Sequence, residues 1–215
     1  MVIRVAIIGL SNSSTTSWAK SAHLPYLLSN RGRGKYRLVA VCNTSVESAK
    51  KAINFFNLSP ETRAYGSAED LANDGEVDLV VCSTRVDTHA DAIMPGLKNG
   101  KAVFVEWPVS GNIESARKLA SLAKESGARS AVGIQGRLAP VALSIKELLK
   151  SGKLGAVLSS EARAAGGTVD RELLAAGLSY FTDLKVGGNV ATIGFAHSKF
   201  KTQYPGILTL TVFSL

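Results

Sequence analysis

"VAIIGLSNSS", residues 5–14, is an apolar run that stops at a glycine and gives way to small polar residues. That pattern marks a buried strand ending in a turn before a helix. Where such a turn holds a dinucleotide it carries G-x-G-x-x-G, because the turn is tight and the backbone must approach a pyrophosphate at a helix N-terminus. Gly9 takes the first of these positions, and Ser11 and Ser14 stand at the other two. Serine hydroxyls and Asn12 still donate hydrogen bonds to phosphate, and the helix beyond presents its positive end. An ordinary strand-to-helix turn with polar caps fits the same residues, so this stretch by itself leaves both readings open.

Working outward, apolar runs and amphipathic stretches alternate: "VIRVAII", "SWAKSAHLPYLLSN", "YRLVAVC", "SVESAKKAINFF", "VDLVVCS", "HADAIMPGLKNG" and "KAVFVE". Continuous β-branched runs between helical patterns predict parallel strands buried on both faces. The fold class is therefore α/β, a Rossmann-type doubly wound parallel sheet. In "NIESARKLASLAKESG" Ile113, Ala116, Ala120 and Ala123 fall at helical spacing, with Gly127 as the stop. "SAVGIQG" predicts a further strand, and "APVALSIKELLKSGKLG" a helix with Val141, Ile145 and Leu148 on one face. Beyond residue 155 the texture changes. "AVLSSEARAAGG" and "GILTLTVFSL" read as strands, "DRELLAAGLSYF" as a helix, and "KVGGNVATIGFAH" as a glycine turn leading into a short helix. Residues 1–128 are expected to form the dinucleotide-binding domain, and 129–215 a small, shortened α+β domain. Its apolar sheet face would need a cover, such as a second copy of the chain.

The second predicted strand ends "VAVCNTS", with Asn43, Thr44 and Ser45 where an acid would grip the ribose hydroxyls of NAD. Without that acid, NADP is favoured over NAD. The 215 residues are 46% hydrophobic and 20% charged, a composition of globular proteins. The formal charge is +8, but the basic residues are scattered; the dense run "RGRGKYR" (31–37) reads as a solvated turn at the wrong end of the sheet, not a nucleic-acid surface. No apolar stretch reaches the ~20 residues of a membrane span, and "MVIRVAIIGL" lacks a secretory cleavage pattern. Cys42 and Cys82 read as reduced core thiols, and the protein is expected to be cytoplasmic. His23, His89 and His197 lack the short pair spacing of a zinc set, so no metal is expected.

Three further stretches carry a resemblance. "VVCSTRVDTHADAIMPGLKNGKAVFVEWPVSGNIESARKLA", "GIQGRLAPVALSIKELLKSGKLGAVLSSEA" and "GGNVATIGFAH" together resemble the Gfo/Idh/MocA oxidoreductases over residues 3 to 197. The resemblance implies a Rossmann domain for NAD(P), followed by an α/β domain that shapes the substrate site and forms a dimer interface. It also implies oxidation or reduction of a hydroxyl or carbonyl on a small molecule. By position, Gly9, Ser11 and Asn12 would line the pyrophosphate, Asn43 the adenosine ribose, and Ser83 and Thr84 the middle of the cofactor. Glu106 would lie on the nicotinamide side, and His89 would border the site.

The departures bear on chemistry. Trp107 stands where the family has the lysine of Glu-Lys-Pro, Ile193 replaces an aspartate four residues before His197, and Arg85 replaces the proline after Thr84. An indole cannot take the lysine's proton role. "SWAKSAHLPYLL", "VEWPVS" and "GIQGRLAP" are similar to the fungal branch that includes the yeast galactose-regulon repressor, which places Trp18 and Trp107 near the nicotinamide. The second domain is also expected to be truncated against the family. Three functions stand. The first is an NAD(P)-dependent oxidoreductase with His197 or Tyr180 moving the proton. The second is a cofactor-binding regulator without turnover. The third is a non-redox isomerase, cyclase or lyase recruited from the fold.

Overall fold

The apolar runs become six parallel strands: β1 Ile3–Ile8, β2 Tyr36–Cys42, β3 Arg63–Tyr65, β4 Leu79–Cys82, β5 Ala102–Glu106 and β6 Ser130–Gly133. They form one sheet in the order β3-β2-β1-β4-β5-β6, the doubly wound order with its reversal between β1 and β4. This computed structural model describes residues 2–14, 17–157, 159–165, 179, 180, 183, 186 and 207–213. It divides into two units, Met1–Gly133 and Ile134–Leu215.

In the first unit, alternate residues of each strand feed two separate cores, as a period of two requires. Ala6, Ile8, Ala40, Cys42, Val80, Cys82, Val103 and Val105 face one layer. That layer is α5 (Val86–Lys98), packed through Ile93 and Leu97, and α6 (Ile113–Ser126), packed through Leu119 and Ala123. Val5, Ile7, Val41 and Val81 face the other, with Leu10, Ala19, Leu24, Leu27, Ala49, Ala52 and Ile53. Leu10 lies in the loop after β1, and the others come from a π-helical turn, Ala19–His23, which continues into α1 (Leu24–Leu28), and from α3 (Val46–Phe55). Each Val, Leu or Ile side chain so removed from water contributes about 1.5–3 kcal/mol.

Local signals set the helix ends. Ser45, Ser67 and Asn112 accept the N–H of Ser48, Asp70 and Ser115 at the starts of α3, α4 (Ala68–Ala72) and α6. Gly127 ends α6 with φ +68°. Two short helices, α2 (Asn30–Arg33) and α4, and the three-residue edge strand β3 went unread in the sequence. The face expected for α6 needs correction. Ile113 is 57% exposed and Ala120 is exposed, while Leu119 and Ala123 carry the contact with the sheet. Of the expected face only Ala123 is buried; small alanines fit either side of a helix, and the larger Leu119 takes the sheet side.

Cys42 and Cys82 are free and buried. Each lies opposite Ile8 in register, on the two strands that flank β1. They are thus two strand spacings apart, roughly 9.5 Å, beyond the ~7 Å limit between Cα atoms for a disulfide. Burial pushes both thiols up to about 11. At the amino edge of the sheet Arg4 spans Asp78 (2.7 and 2.9 Å) and Glu76 (2.6 Å). The guanidinium holds the Asp78 carboxyl down at about 2. A depressed carboxylate stabilises the fold at every pH above its ordinary value and loses that contribution as pH falls through the folded one. The urea midpoint should therefore decline from pH 3.8 toward 2, and Arg4→Met should flatten that decline.

In the second unit α7 (Pro140–Lys150) exposes Val141, Leu143, Ile145 and Leu148. β7 (Ser159–Ala165) and β8 (Ile207–Phe213) pair in parallel from Ser159–Ile207 to Ala165–Phe213, where strands were expected. The helix expected over 170–181 and the glycine turn over 185–197 fall largely outside the described residues.

Candidate functional site

The loops that follow β1, β2, β4 and β5 share the carboxyl edge of the sheet, where doubly wound folds bind ligands at the reversal of strand order. Gly9 anchors the first loop, donating its N–H to the Cys42 carbonyl (3.0 Å) with φ +93°. A Cβ added there would lie 2.6 Å from the Ser83 carbonyl oxygen and 2.7 Å from Thr84 Cγ2. The loops after β1 and β4 therefore approach closely, and glycine alone permits both the approach and the left-handed backbone. Beyond it the Ser13 N–H donates to Ser11 Oγ (3.2 Å). Asn12, Ser13 and Ser14 are exposed, so the loop offers polar groups to solvent.

Asn43 follows β2 and staples two loops. Its side-chain amide donates to the Leu10 carbonyl (2.9 Å) and the Ser48 carbonyl (3.3 Å). No acid stands at 43–45. The residues present thus fit the pyrophosphate of a dinucleotide through the Gly9 turn and its hydroxyls, and they lack the usual carboxylate grip on the ribose.

After β4, the Ser83 N–H donates to the Ile8 carbonyl (3.0 Å), and Thr84 Oγ1 accepts from the Thr88 hydroxyl (2.9 Å). His89, on α5 and 1% exposed, lies between two loops. Its Nδ1 is 2.8 Å from the Pro108 carbonyl and its Nε2 is 3.1 Å from the Thr84 carbonyl. A neutral imidazole has one N–H to donate, and the shorter contact assigns it to Nδ1. Burial holds His89 below its ordinary pKa, outweighing the two carbonyls and the charges of Glu106 and Asp87.

Glu106 ends β5, with Oε1 2.6 Å from His23 Nε2. Trp107 follows it, half-buried, and joins Pro108 through a cis peptide. Trp18, 45% exposed, precedes the π-helical turn. One sheet edge therefore gathers Gly9, Ser11, Asn12, Asn43, Ser83, Thr84, His89, Glu106 and Trp107. Tyr180 belongs to the second unit and is half-buried. His197 lies outside the described residues. The sequence reading missed His23 and Gly133; His23 and Glu106 are 83 residues apart, and no local pattern signals their contact. Among the described residues no group of three or more His, Cys, Asp or Glu side chains could hold a metal ion. No described helix is long and apolar enough to cross a membrane.

Sheet order, glycine turn and crevice define a dinucleotide-type Rossmann domain. Residues 3–134 match the model of the Gfo/Idh/MocA oxidoreductase family, NAD-binding Rossmann fold. The chain belongs to that family. Residues 140–205 match the C-terminal domain model of Gal80p. Dehydrogenase aclE of Aspergillus oryzae is 40% identical over 158 residues, 74% of this chain and 43% of that protein. The galactose/lactose metabolism regulatory protein of Saccharomyces cerevisiae is 28% identical over 208 residues, 94% of this chain and 47% of that protein. The chain thus spans less than half the length of these two relatives. A crystal structure of a super-repressor mutant of S. cerevisiae Gal80p superposes with a TM-score of 0.79 at 23% identity, covering 98% of this chain and 59% of the other. That likeness concerns the fold.

Proposed function

We propose that the chain is the cofactor-binding part of an NAD(P)-dependent oxidoreductase acting on a hydroxyl or carbonyl of a small molecule. The observation that carries this reading is the close approach of Gly9 to Ser83 and Thr84 at the reversal of strand order. Gly9, Ser11 and Asn12 take the pyrophosphate, Asn43 borders the adenosine ribose, and Ser83 and Thr84 line the middle. His89 braces the loops, while Trp18, Glu106 and Trp107 border the nicotinamide. When bound, the nicotinamide supplies hydride transfer. The chain's part is to orient it, exclude water and move one proton. Trp107 has no titratable nitrogen for that, which leaves His197, with the imidazole's suitable range, and Tyr180 as candidates. Residues 1–128 are assigned to the cofactor, and 129–215 to substrate and to a second copy of the chain in the cytoplasm.

The test is a titration with NADPH and NADH followed by quenching of the two tryptophans, Trp18 and Trp107. Saturable quenching supports the reading; none at millimolar cofactor overturns it in favour of a recruited non-redox fold. We place NADP ahead of NAD. Thr44 is exposed beyond β2, and Thr44→Asp should weaken NADPH relative to NADH by about tenfold, through repulsion of the extra ribose phosphate. Equal effects on both cofactors would refute the preference.

A second reading, a cofactor-binding regulator without turnover, is favoured by Trp107 in the lysine's place and by the Gal80p C-terminal match over 140–205. Saturable binding with no consumption of NADPH across a panel of carbonyl substrates would select it.

A further inference from the structure

We infer that His23 is the positioning residue for the nicotinamide end of the crevice, acting through Glu106; this role rests on the cofactor reading above. In a doubly wound sheet one half of a dinucleotide lies over β2 and β3, and the other over the strands beyond the reversal, β4 to β6. Glu106 and Gly133 are the last residues of β5 and β6 and lie opposite each other in register.

Several independent features hold the Glu106 carboxylate in one place. His23 Nε2 meets its Oε1 at 2.6 Å, with the two side chains 19% and 14% exposed. A contact that short and sheltered has the geometry of a charge-assisted bond. At Gly133 an added Cβ would lie 2.7 Å from Glu106 Oε2, so glycine supplies the space the second oxygen occupies. The imidazole is itself oriented, its ring 5.5 Å from Phe104 in an edge-on arrangement at 77°. Phe104 lies on the same strand as Glu106.

The backbone that delivers His23 is also unusual. Residues 19–23 form a π-helical turn, with bonds from i to i+5 that admit one more residue than an α-helical turn. Such insertions are rare and concentrate at functional sites. Here the turn begins directly after the exposed Trp18 and ends at His23, so it delivers the paired imidazole to the strand end. Removing His23 leaves a sheltered carboxylate without its partner, at the strand end that leads into Trp107. The carboxylate then swings toward solvent or draws in water, and the nicotinamide end loses its fixed wall while the Gly9 and Asn43 loops stay intact.

The experiment is calorimetric titration of the full chain with NADPH and NADH and with their adenine halves, adenosine bisphosphate and ADP. His23→Ala should weaken the whole dinucleotide by about tenfold or more, the scale of one charge-assisted bond, and leave the adenine half within about twofold. His23→Gln, which keeps a donor at that place, should recover most of the loss. Glu106→Gln should reproduce the His23→Ala pattern. Equal losses for cofactor and adenine half would make His23 merely structural and overturn the role, as would unchanged dinucleotide binding in both His23→Ala and Glu106→Gln. If the unaltered chain binds neither dinucleotide, the cofactor reading itself fails, a result distinct from either of these.

Discussion

Gly9→Ala should abolish measurable dinucleotide binding and lower stability by about 2–6 kcal/mol. Two costs add. Alanine at φ +93° is strained by about 1–3 kcal/mol, and its methyl would lie 2.6 Å from the Ser83 carbonyl oxygen, an overlap worth about 1–3 kcal/mol more. Backbone cannot yield cheaply there, since the Ser83 N–H is bonded to the Ile8 carbonyl at 3.0 Å. Relief would come from parting the loops after β1 and β4, which widens the crevice where a pyrophosphate would sit. Urea unfolding and the NADPH titration check both effects. A variant as stable as the parent that still binds would show that the two loops are free to separate.

His89→Ala should cost about 3 kcal/mol, the scale of removing a buried ring and leaving the Pro108 carbonyl without its donor. The Thr84 and Pro108 carbonyls, 3.1 and 2.8 Å from the ring, lose their common neighbour, and the loops after β4 and β5 lose their brace. His89→Gln, which retains a donor, should recover part of the loss. The same residue gives a pH dependence of definite sign. Its folded pKa is below the ordinary value, so above that ordinary value both states are neutral and its contribution is complete. As pH falls, the unfolded chain takes up the proton first, and stability declines until the folded value is passed. The decline near pH 6, read from urea midpoints, should be smaller in His89→Gln. An unchanged slope would assign that titration to another group.

The doubly wound order was legible because strands buried on both faces must be apolar throughout, so "VAII", "LVAVC" and "LVVC" announce themselves. Ser45, Asn112 and Gly127 mark helix ends by local chemistry, which a sequence carries in full. β3 escaped because three edge residues, Arg63–Tyr65, contain no periodicity to detect. The phase of α6 escaped because small alanines fit either face, and the sheet selected Leu119.

By itself the sequence determined the sheet, its crevice and the glycine turn that opens it, since each follows from hydrophobic period or from a backbone only glycine adopts. Only the tertiary structure decided that Asn43 spends its side-chain amide joining two loops, that His89 sits between two carbonyls, and that His23 closes on Glu106 beside a glycine from the next strand. The decisive partners, Pro108 for His89, Leu10 for Asn43 and Glu106 for His23, lie 19, 33 and 83 residues away. Contacts across such separations are set by how strands and helices pack, and no local pattern of residues encodes them.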